Sequence, residues 1–201
     1  ADSDRDYWMT AQEALEASRE RTQKMAEFVT RFANVVKVPE PQLTLCDLSE
    51  EVEACHSFLD GLCQTHHVCL TLDLTDEAIP VHLDTTLFQQ ALVNIVKNAI
   101  ESIIPVPSER KGFISIKVAK HSTSLPRREG QGGGSLIITD NGKGISPEVA
   151  QHIFTPFYST KPQGQGLGLL LIRDILTKHG CTFTLLTSPD DGLTRFTIMF
   201  P

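Results

Sequence analysis

Residues 140–144, Asp-Asn-Gly-Lys-Gly, constrain the fold more than any other stretch because they follow directly on an apolar run. That run, residues 136–139, reads Leu-Ile-Ile-Thr and predicts a strand that ends in a tight turn. A carboxylate at the end of a strand can accept a hydrogen bond from an amino group in a pocket, and glycine lets the backbone approach a flat ligand closely. The motif is common when taken alone, so its meaning depends on the segments before and after it.

Length and charge limit the classes of protein to which the chain can belong. Its 201 residues suffice for one domain plus an appendage, and its net charge of -7 disfavours a broad surface for nucleic acid or anionic membrane. No apolar run approaches the roughly 18 residues that a membrane-spanning helix needs, and no secretory signal is visible. We therefore expect a cytoplasmic fragment without direct membrane contact, whose full-length protein can still be membrane-anchored.

The five cysteines include no CxxC pair, which favours reduced thiols over a disulfide framework. Cysteine and histidine are concentrated in residues 55–69, and both are zinc ligands. Cys55 also shares a predicted helical face with Phe58 and Leu62, and Cys69 lies in an alternating strand. Packing in the core is therefore favoured over a zinc site.

The N-terminal segment has the pattern of a long helix. Its apolar and small residues recur at alternating spacings of three and four, as the seam of a helix that packs on another helix does: Trp8, Ala11, Leu15, Ser18, Thr22, Met25, Val29, Phe32 and Val36. A partner helix or a dimer mate is favoured, and folding back on the chain's own domain is the alternative. Pro39 and Pro41 end the helix in a short connector up to Leu45. We predict a first domain at residues 1–42 and a second at 43–201.

The second domain opens with alternating helix and strand signals. Asp47 and Glu50 resemble a capping box for a helix that runs to about Gly61. Residues 68–74 alternate as a half-buried strand, residues 81–83 form a short strand, and Asp84 caps the next helix, which Pro105 ends.

This next helix carries four polar residues on one face, at spacings of four, four and three: Gln90, Asn94, Asn98 and Glu101. Asparagine is a mediocre helix former because its side chain competes for backbone hydrogen bonds. Either this face is solvated, or it presents amide oxygens to a metal ion or a polar ligand.

The remaining segments predict strands around a loop-rich middle. Residues 113–118 form a strand, residues 121–135 a glycine-rich mobile connection, and residues 146–153 a brief helix that Ser146 caps. Residues 154–168 begin with aromatics and end in glycines, which is typical of a lid. The following helix, residues 169–179, starts after a glycine cluster and suits phosphate binding. Two strands, residues 182–187 and 194–200, complete the chain.

Spacing excludes two common nucleotide motifs. A P-loop needs serine or threonine after its glycine-lysine pair, but Lys143 is followed by Gly144 and Ile145. A dinucleotide fingerprint needs a third glycine where Leu169 stands.

The order of the surviving motifs resembles the ATP-binding catalytic domain of sensor histidine kinases, within the superfamily that includes gyrase, Hsp90 and MutL. The N box matches residues 90–101, the G1 box 140–144, the F box 153–157 and the G2 box 164–169, and Leu193 replaces a usual glycine in the last box. The resemblance covers residues 43–201. It implies an α+β fold of the Bergerat type: a two-layer sandwich whose mixed, mostly antiparallel sheet of about five strands is covered on one face by three helices.

Residues 32–41 resemble the end of the second dimerisation helix in the nitrogen-regulatory group of these kinases. The phosphoacceptor histidine of that group is followed by an acidic residue, and none of the seven histidines here is. The resemblance therefore implies an acceptor outside this chain, a homodimer through the dimerisation helices, and a response regulator as partner.

The resemblance also implies the roles of individual residues, with ATP and Mg²⁺ as cofactors. Asp140 receives the adenine amino group, the Asn98 amide oxygen binds Mg²⁺, and Asn94 and Lys161 act with Asn98 in catalysis. Thr194 supports the adenine pocket, and Phe154 anchors the lid more than it touches ligand. The implied ATP-binding set is Asn94, Asn98, Asp140, Gly142, Gly144, Ile145, Phe154, Lys161, Gly164, Gly166, Leu167, Gly168, Leu169 and Thr194.

Asn94 separates two kinds of chemistry. The gyrase and MutL branches have a glutamate at this position that activates water, whereas an amide cannot act as a general base. The sequence therefore favours phosphoryl transfer to a histidine over rapid hydrolysis of ATP. An ATPase or chaperone-like protein of the same superfamily is the first alternative, and a nucleotide-binding scaffold without transfer activity is the second.

Overall fold

The computed structural model describes residues 15–16, 18–23, 38–104, 111–120, 133–155, 158–159 and 166–201. The chain divides into two compact units, Ala1–Pro39 and Glu40–Pro201. In the first unit, residues 15–16 and 18–23 are helical, and Thr22 Oγ1 donates a hydrogen bond to the Ser18 carbonyl at 2.8 Å. The rest of the predicted N-terminal helix, and most of the predicted connection 121–135, lie outside the described residues.

The second unit alternates strands with four helices in the described ranges. The order is β1 (Thr44–Asp47), α1 (Leu48–Thr65), β2 (Cys69–Asp73), β3 (Pro80–Leu83), α2 (Thr85–Ile103), β4 (Phe113–Lys120), β5 (Gly134–Asp140), α3 (Pro147–His152), α4 (Gly168–Lys178), β6 (Thr182–Thr187) and β7 (Thr194–Met199). Within this part of the chain, no helix is long and apolar enough to span a membrane.

Five strands form one open sheet in the order β2-β4-β5-β7-β6. The β2–β4 pair is parallel and the other pairs are antiparallel. The mixed, mostly antiparallel five-stranded sheet confirms the predicted α+β fold. It also places the end of β5 in the middle of the sheet, where Asp140 pairs with Ile114 on one side and with Thr194 on the other.

The core lies between the sheet and the helices. Alternate residues of the central strands are buried because successive side chains point to opposite faces of a sheet. They meet the apolar stripe of α2, and the buried set from both layers includes Phe88, Leu92, Ile95, Val96, Ile114, Ile116, Leu136, Ile138, Phe196 and Ile198. This packing holds α2 against the sheet, and α2 also carries the polar face predicted from its asparagines.

Helix α1 starts as predicted but ends later. Asp47 caps it by accepting hydrogen bonds from the backbone of Ser49 and Glu50. The prediction that it ends near Gly61 is wrong, because the buried face continues to Cys63 and the helix to Thr65. A Cβ at Gly61 would meet nothing within 4 Å, so packing does not require glycine at this position. The C-cap residue His66 follows the helix, and the next residue, His67, has a φ of 57°, in the left-handed region that usually favours glycine.

Two strand boundaries also differ from the prediction. Residues predicted as a connector begin β1, which pairs antiparallel with β3. Strand β5 begins at Gly134, which the sequence places in the preceding loop. A Cβ there would lie 2.6 Å from Ile79 Cγ2 and 3.0 Å from Leu48 Cδ2, so close packing requires glycine. Neither the pairing of β1 with β3 nor the packing around Gly134 is visible in local sequence patterns.

One buried histidine ties together the ends of α2 and α4. Asp84 caps α2 through the Leu87 N–H at 3.1 Å and also accepts from the Gln42 N–H at 2.9 Å. The Asp84 N–H donates to His179 Nε2 at 3.0 Å, while His179 Nδ1 lies 2.8 Å from the Ile175 carbonyl oxygen. The hydrogen bonds from Gln42 and Leu87 hold the pKa of Asp84 below its usual range. The contact between Asp84 and His179 joins the start of α2 to the end of α4.

Candidate functional site

A cavity of about 640 Å³ lies between α2, the turn after β5, α3 and the start of α4. Its floor includes inward-facing side chains of the sheet, Ile138, Leu185 and Phe196. Most of the described residues that were predicted to bind the nucleotide line it together: Asn94, Asn98, Asp140, Gly144, Ile145, Gly166, Leu167, Gly168, Leu169 and Thr194. Lys161 and Gly164 lie outside the described residues.

Asp140 is the buried carboxylate of the cavity. It stands at the end of β5 and is 7% exposed. Its Oδ1 atom accepts a hydrogen bond from Ser102 Oγ and another from the Gly142 N–H, each at 2.9 Å. Burial raises the pKa of this carboxyl above its usual range, and the hydrogen bonds from Gly142 and Ser102 offset part of the rise.

Gly142 does not line the cavity, contrary to the expectation that a base would lie against it. A Cβ at this position would come within 1.8 Å of Ser102 Oγ and 2.8 Å of Asp140 Oδ1. The Lys143 N–H also donates to the Ser102 carbonyl at 3.1 Å. Glycine is therefore needed so that the turn can close on Ser102, and Ser102 lines the cavity instead.

A second hydrogen-bonded group supports the turn at Gly144, whose φ of +77° favours glycine. The Ile145 N–H donates to Thr187 Oγ1 at 2.8 Å, and Thr187 Oγ1 lies 3.0 Å from Thr194 Oγ1. Thr194 is 5% exposed. The last two strands thereby hold the backbone that follows Asp140.

The polar face of α2 forms the opposite side. Asn94, Lys97, Asn98 and Glu101 line the cavity. The Asn94 side-chain amide donates to the Gln90 carbonyl at 2.8 Å. Gln90, although on the predicted face, does not line the cavity, so the part of the face that lines the cavity begins one turn later, at Asn94.

Helix α4 points its N-terminus into the cavity next to Asn98. A Cβ at Gly168 would lie 3.9 Å from both Oδ1 and Nδ2 of Asn98, so the absence of a side chain keeps this gap open. Leu167 occupies the N-cap position and makes no side-chain capping hydrogen bond. The first N–H groups of an α-helix have no partner within the helix, and they carry the positive end of its dipole. The arrangement suits an anionic ligand.

Phe154 lies outside the lining of the cavity. Its ring packs edge-to-face on Phe183 at 5.3 Å and on Phe196 at 6.5 Å between ring centroids. Its carbonyl accepts a hydrogen bond from Arg173 Nη1 at 3.1 Å. These contacts anchor the start of the predicted lid to the sheet and to α4, and Phe157 lies outside the described residues.

Sequence reasoning missed several lining or supporting residues. Ser102 stands one helical turn after Asn98, so the spacing could have revealed it. Leu185 and Phe196 could have been found from strand alternation, whereas nothing in the sequence distinguishes Thr187.

The cysteines considered as zinc ligands do not face the cavity. Cys55 and Cys63 pack in the core, and burial raises the pKa of Cys63 to about 11. Among the described residues, no three His, Cys, Asp or Glu side chains are grouped so that they could hold a metal ion.

The profile of the family described as "Histidine kinase-, DNA gyrase B-, and HSP90-like ATPase" matches residues 83–201, which is more than half of the chain. The chain belongs to this family. This match confirms the family predicted from the order of the N, G1, F and G2 boxes.

The relatives of this ATPase domain include several sensor kinases. The chain is 31% identical over 169 residues to the C4-dicarboxylate transport sensor protein DctS of Rhodobacter capsulatus, and the alignment covers 83% of the chain and 24% of that protein. It is 28% identical over 188 residues to the sensor histidine kinase ZraS of Klebsiella oxytoca, covering 94% and 37%. The nitrogen regulation protein NtrY of Azorhizobium caulinodans is 29% identical over 169 residues, covering 83% and 20%. The chain thus spans well under half the length of these relatives.

Solved structures of histidine kinases share the fold. The catalytic domain of histidine kinase ThkA has a TM-score of 0.64 at 24% identity, covering 80% of this chain and 95% of that one. Full-length ShkA in complex with AMPPNP has a TM-score of 0.67 at 18% identity, covering 94% and 37%. The fold, the family match and the relatives together identify an ATP-binding catalytic domain of the sensor histidine kinase type.

Proposed function

We propose that the cavity binds ATP with Mg²⁺ and that the domain transfers the γ-phosphoryl group to a histidine on a dimerisation helix of the full-length protein. One observation carries this proposal. A single cavity has a buried carboxylate, Asp140, on one side, and the Asn98 amide beside the start of α4 on another. The carboxylate can accept a hydrogen bond from the amino group of a base, and the amide with the start of α4 can bind a chain of phosphates.

On the base side, Asp140 accepts a hydrogen bond from the adenine amino group. Gly144 and Ile145 form the backbone against which the ring lies, and Thr194 supports them through Thr187. Gly142 acts indirectly, because its missing side chain allows Ser102 to reach Asp140.

On the phosphate side, backbone N–H groups of the segment Gly166, Leu167, Gly168 and Leu169 face the β and γ phosphates, with Gly164 earlier in the same loop. Support comes from the position of α4, whose first turn lines the cavity without a side-chain cap. Lys161 contributes a positive charge to the γ-phosphate.

The donor set fits Mg²⁺. The Asn98 amide supplies an oxygen, the ligand type that Mg²⁺ prefers, and Gly168 leaves space beside it. Mg²⁺ in nucleotide sites is commonly held by only one or two protein ligands, so the Asn98 amide oxygen would suffice as the ligand from this chain. When bound, the ion neutralises charge on the transferring phosphoryl group.

The amide at Asn94 favours transfer over hydrolysis. An amide cannot remove a proton from water at neutral pH, and the Asn94 nitrogen is already engaged with the Gln90 carbonyl. Transfer to a second side chain depends mainly on positioning and charge neutralisation, for which Asn94, Asn98 and Lys161 suffice. The ATPase and scaffold alternatives are accordingly not favoured.

We extend the proposal to the whole protein by analogy with its sensor-kinase relatives. Residues 1–42 belong to a dimerisation domain, the full-length protein is a homodimer, and a response regulator receives the phosphoryl group. The catalytic domain works in the cytoplasm, where ATP is supplied.

The test mixes the chain with γ-labelled ATP, Mg²⁺ and a helical hairpin that carries a histidine followed by an acidic residue. We expect acid-labile, base-stable label on the hairpin histidine, and no label with Asn98→Ala. Rapid release of labelled phosphate without labelled hairpin would favour an ATPase. Tight nucleotide binding with neither product would favour a scaffold.

A further inference from the structure

We propose that Arg173 sets the spacing between the two sides of the cavity. It links the end of α3, which continues the base side, to α4, whose first turn lies on the phosphate side. This inference rests on the proposed function, in which one nucleotide contacts both sides at once. Arg173 does not line the cavity and acts through the backbone of Phe154, so it is a positioning residue.

Helix α3 is short and has little packing of its own. It consists of the six residues Pro147–His152, and none of them is buried. Val149 and the following Ile153 nevertheless line the cavity. The segment before α3 is held by the Ile145 N–H, which donates to Thr187 Oγ1. The end of α3 therefore needs an anchor of its own.

Phe154 supplies this anchor, and Arg173 completes it. The ring of Phe154 packs on Phe183 and Phe196, with ring centroids 5.3 and 6.5 Å away. Its carbonyl accepts a hydrogen bond from Arg173 Nη1 at 3.1 Å. Apolar packing is non-directional, whereas a hydrogen bond weakens steeply when its angle changes. The bond from Arg173 therefore fixes the end of α3 relative to α4.

The guanidinium of Arg173 is itself held in place. Its Nε and Nη2 atoms both donate to Asp174 Oδ1 at 3.1 Å, and Nη1 is directed at the Phe154 carbonyl. The helix below is firmly packed, because Ile172 and Ile175 are fully buried. A planar, preorganised group on a packed helix is suited to positioning the backbone that it binds.

Fixed spacing matters most for a ligand that contacts both sides. ATP binds tightly only if the distance between α3 and α4 suits its base and its phosphates together. Adenosine contacts the base side alone, so α3 can adjust to it without a penalty on the phosphate side. Without the bond from Arg173, ATP must order α3 when it binds, and this cost weakens its binding on the order of tenfold.

The test measures the dissociation constants of adenosine and of ATP with Mg²⁺ by calorimetry. The quantity of interest is the adenosine constant divided by the ATP constant. Arg173→Met keeps an unbranched side chain but has no donor, so we expect this ratio to fall about tenfold, mainly through weaker ATP binding. A purely structural role would weaken both ligands equally, so an unchanged ratio overturns the proposal.

Two further variants separate geometry from charge. Arg195→Met is the matched control, since Arg195 is exposed to a similar extent and pairs with Asp191 as Arg173 pairs with Asp174. It should keep the original ratio, and an equal fall would overturn the proposal. Arg173→Lys keeps the charge but lacks the planar fork that contacts Asp174 and Phe154 together. Its ratio should stay below the original, and full recovery would show that charge alone is responsible.

The possible failures can be told apart. If the original protein binds neither ATP nor adenosine, the proposed function is wrong and this inference falls with it. If the original protein prefers ATP and Arg173→Met keeps that preference, only the role of Arg173 is wrong. Should thermal melting show that Arg173→Met is unfolded, Arg173→Lys replaces it. The ratio should then fall by a smaller factor, and an unchanged ratio again overturns the proposal.

Discussion

The two sides of the cavity are built differently. On the base side, buried side chains bond to one another and to the turn, from Ser102 and Asp140 to Thr187 and Thr194. On the phosphate side, the described groups include the backbone at the start of α4 and the polar face of α2, which carries the Asn94 and Asn98 amides and the charged Lys97 and Glu101. One side is thus preorganised by hydrogen bonds within the protein, and the other supplies dipoles and amide oxygens that complement charge on a ligand.

This difference teaches where selectivity and charge dependence reside. Side chains that are already hydrogen-bonded within the protein lose little conformational entropy when a ligand binds. The base side should therefore be selective for one arrangement of donors and acceptors on the ligand. Dipoles and amide oxygens respond to phosphate charge and to Mg²⁺, so the phosphate side depends on ionic conditions. Adenosine, which has no phosphates, reports on the base side alone.

The largest effect should come from Asp140→Asn. Ser102 and Gly142 both donate to Oδ1, so the amide oxygen of asparagine will stay there and its NH₂ group will face the adenine amino group. Donor then meets donor, and we expect the affinities for adenosine and ATP to fall on the order of a hundredfold. Calorimetry measures both, with the exposed Asp190→Asn as control. Unchanged affinity would remove Asp140 from the base side.

Asn98→Ala should break only the phosphate side. The variant loses the amide oxygen assigned to Mg²⁺, so ATP affinity measured with Mg²⁺ should fall about tenfold. Adenosine affinity, and ATP affinity measured in EDTA, should change little. An equal loss in EDTA would mean that Asn98 only packs against α4 and that the division into two sides is wrong.

Replacing Thr187 by valine should weaken the base side indirectly. Valine has nearly the same shape but leaves the Ile145 N–H without its acceptor and removes the contact with Thr194. We expect a loss of about 1 kcal/mol in the free energy of unfolding. Denaturant titration measures it, with the exposed Thr184→Val on the same strand as control. Equal stability of the two variants would show that Thr187 does not support the turn.

Acid should weaken adenosine binding gradually, which is the smallest effect. Burial raises the pKa of Asp140, so this carboxylate takes up a proton at a pH above the usual aspartate range and ceases to be a charged acceptor. Adenosine affinity should therefore fall a few-fold as the pH approaches that pKa from neutrality. A pH series of calorimetric titrations measures it, and affinity that is constant down to the usual aspartate range would contradict the assignment.

Protonation of Asp140 should stabilise the fold, although it weakens adenosine binding. The folded pKa of Asp140 lies above the unfolded value, so the ionised carboxylate destabilises the fold at pH values above the folded pKa. That cost disappears as the pH falls through the folded pKa towards the unfolded one. The melting temperature of Asp140→Asn should exceed that of the original protein most at neutral pH, and the difference should shrink in acid.

Much of the fold could be predicted because its signals are local. The alternation in β4 and β5, the apolar stripe of α2 and the caps at Asp47 and Asp84 depend on neighbours within a few residues. The errors arose where distant residues decide. Gly61 looked like a helix end but is tolerated within α1, while Gly134 looked like loop but belongs to β5 because Ile79 packs against it.

The sequence by itself determined the family, the order of the elements, and the polar face and acidic turn of the site, since each of these is written in residue spacing. Only the tertiary structure decided how the turn at residues 140–144 works. Ser102 reaches Asp140 across 38 positions, and Ile145 reaches Thr187 across 42. A side chain at position 142 would clash with Ser102 Oγ, so the contact between the turn and α2 requires glycine there. The physical reason is that hydrogen bonds between side chains depend on which strands and helices become neighbours, and no local period encodes that.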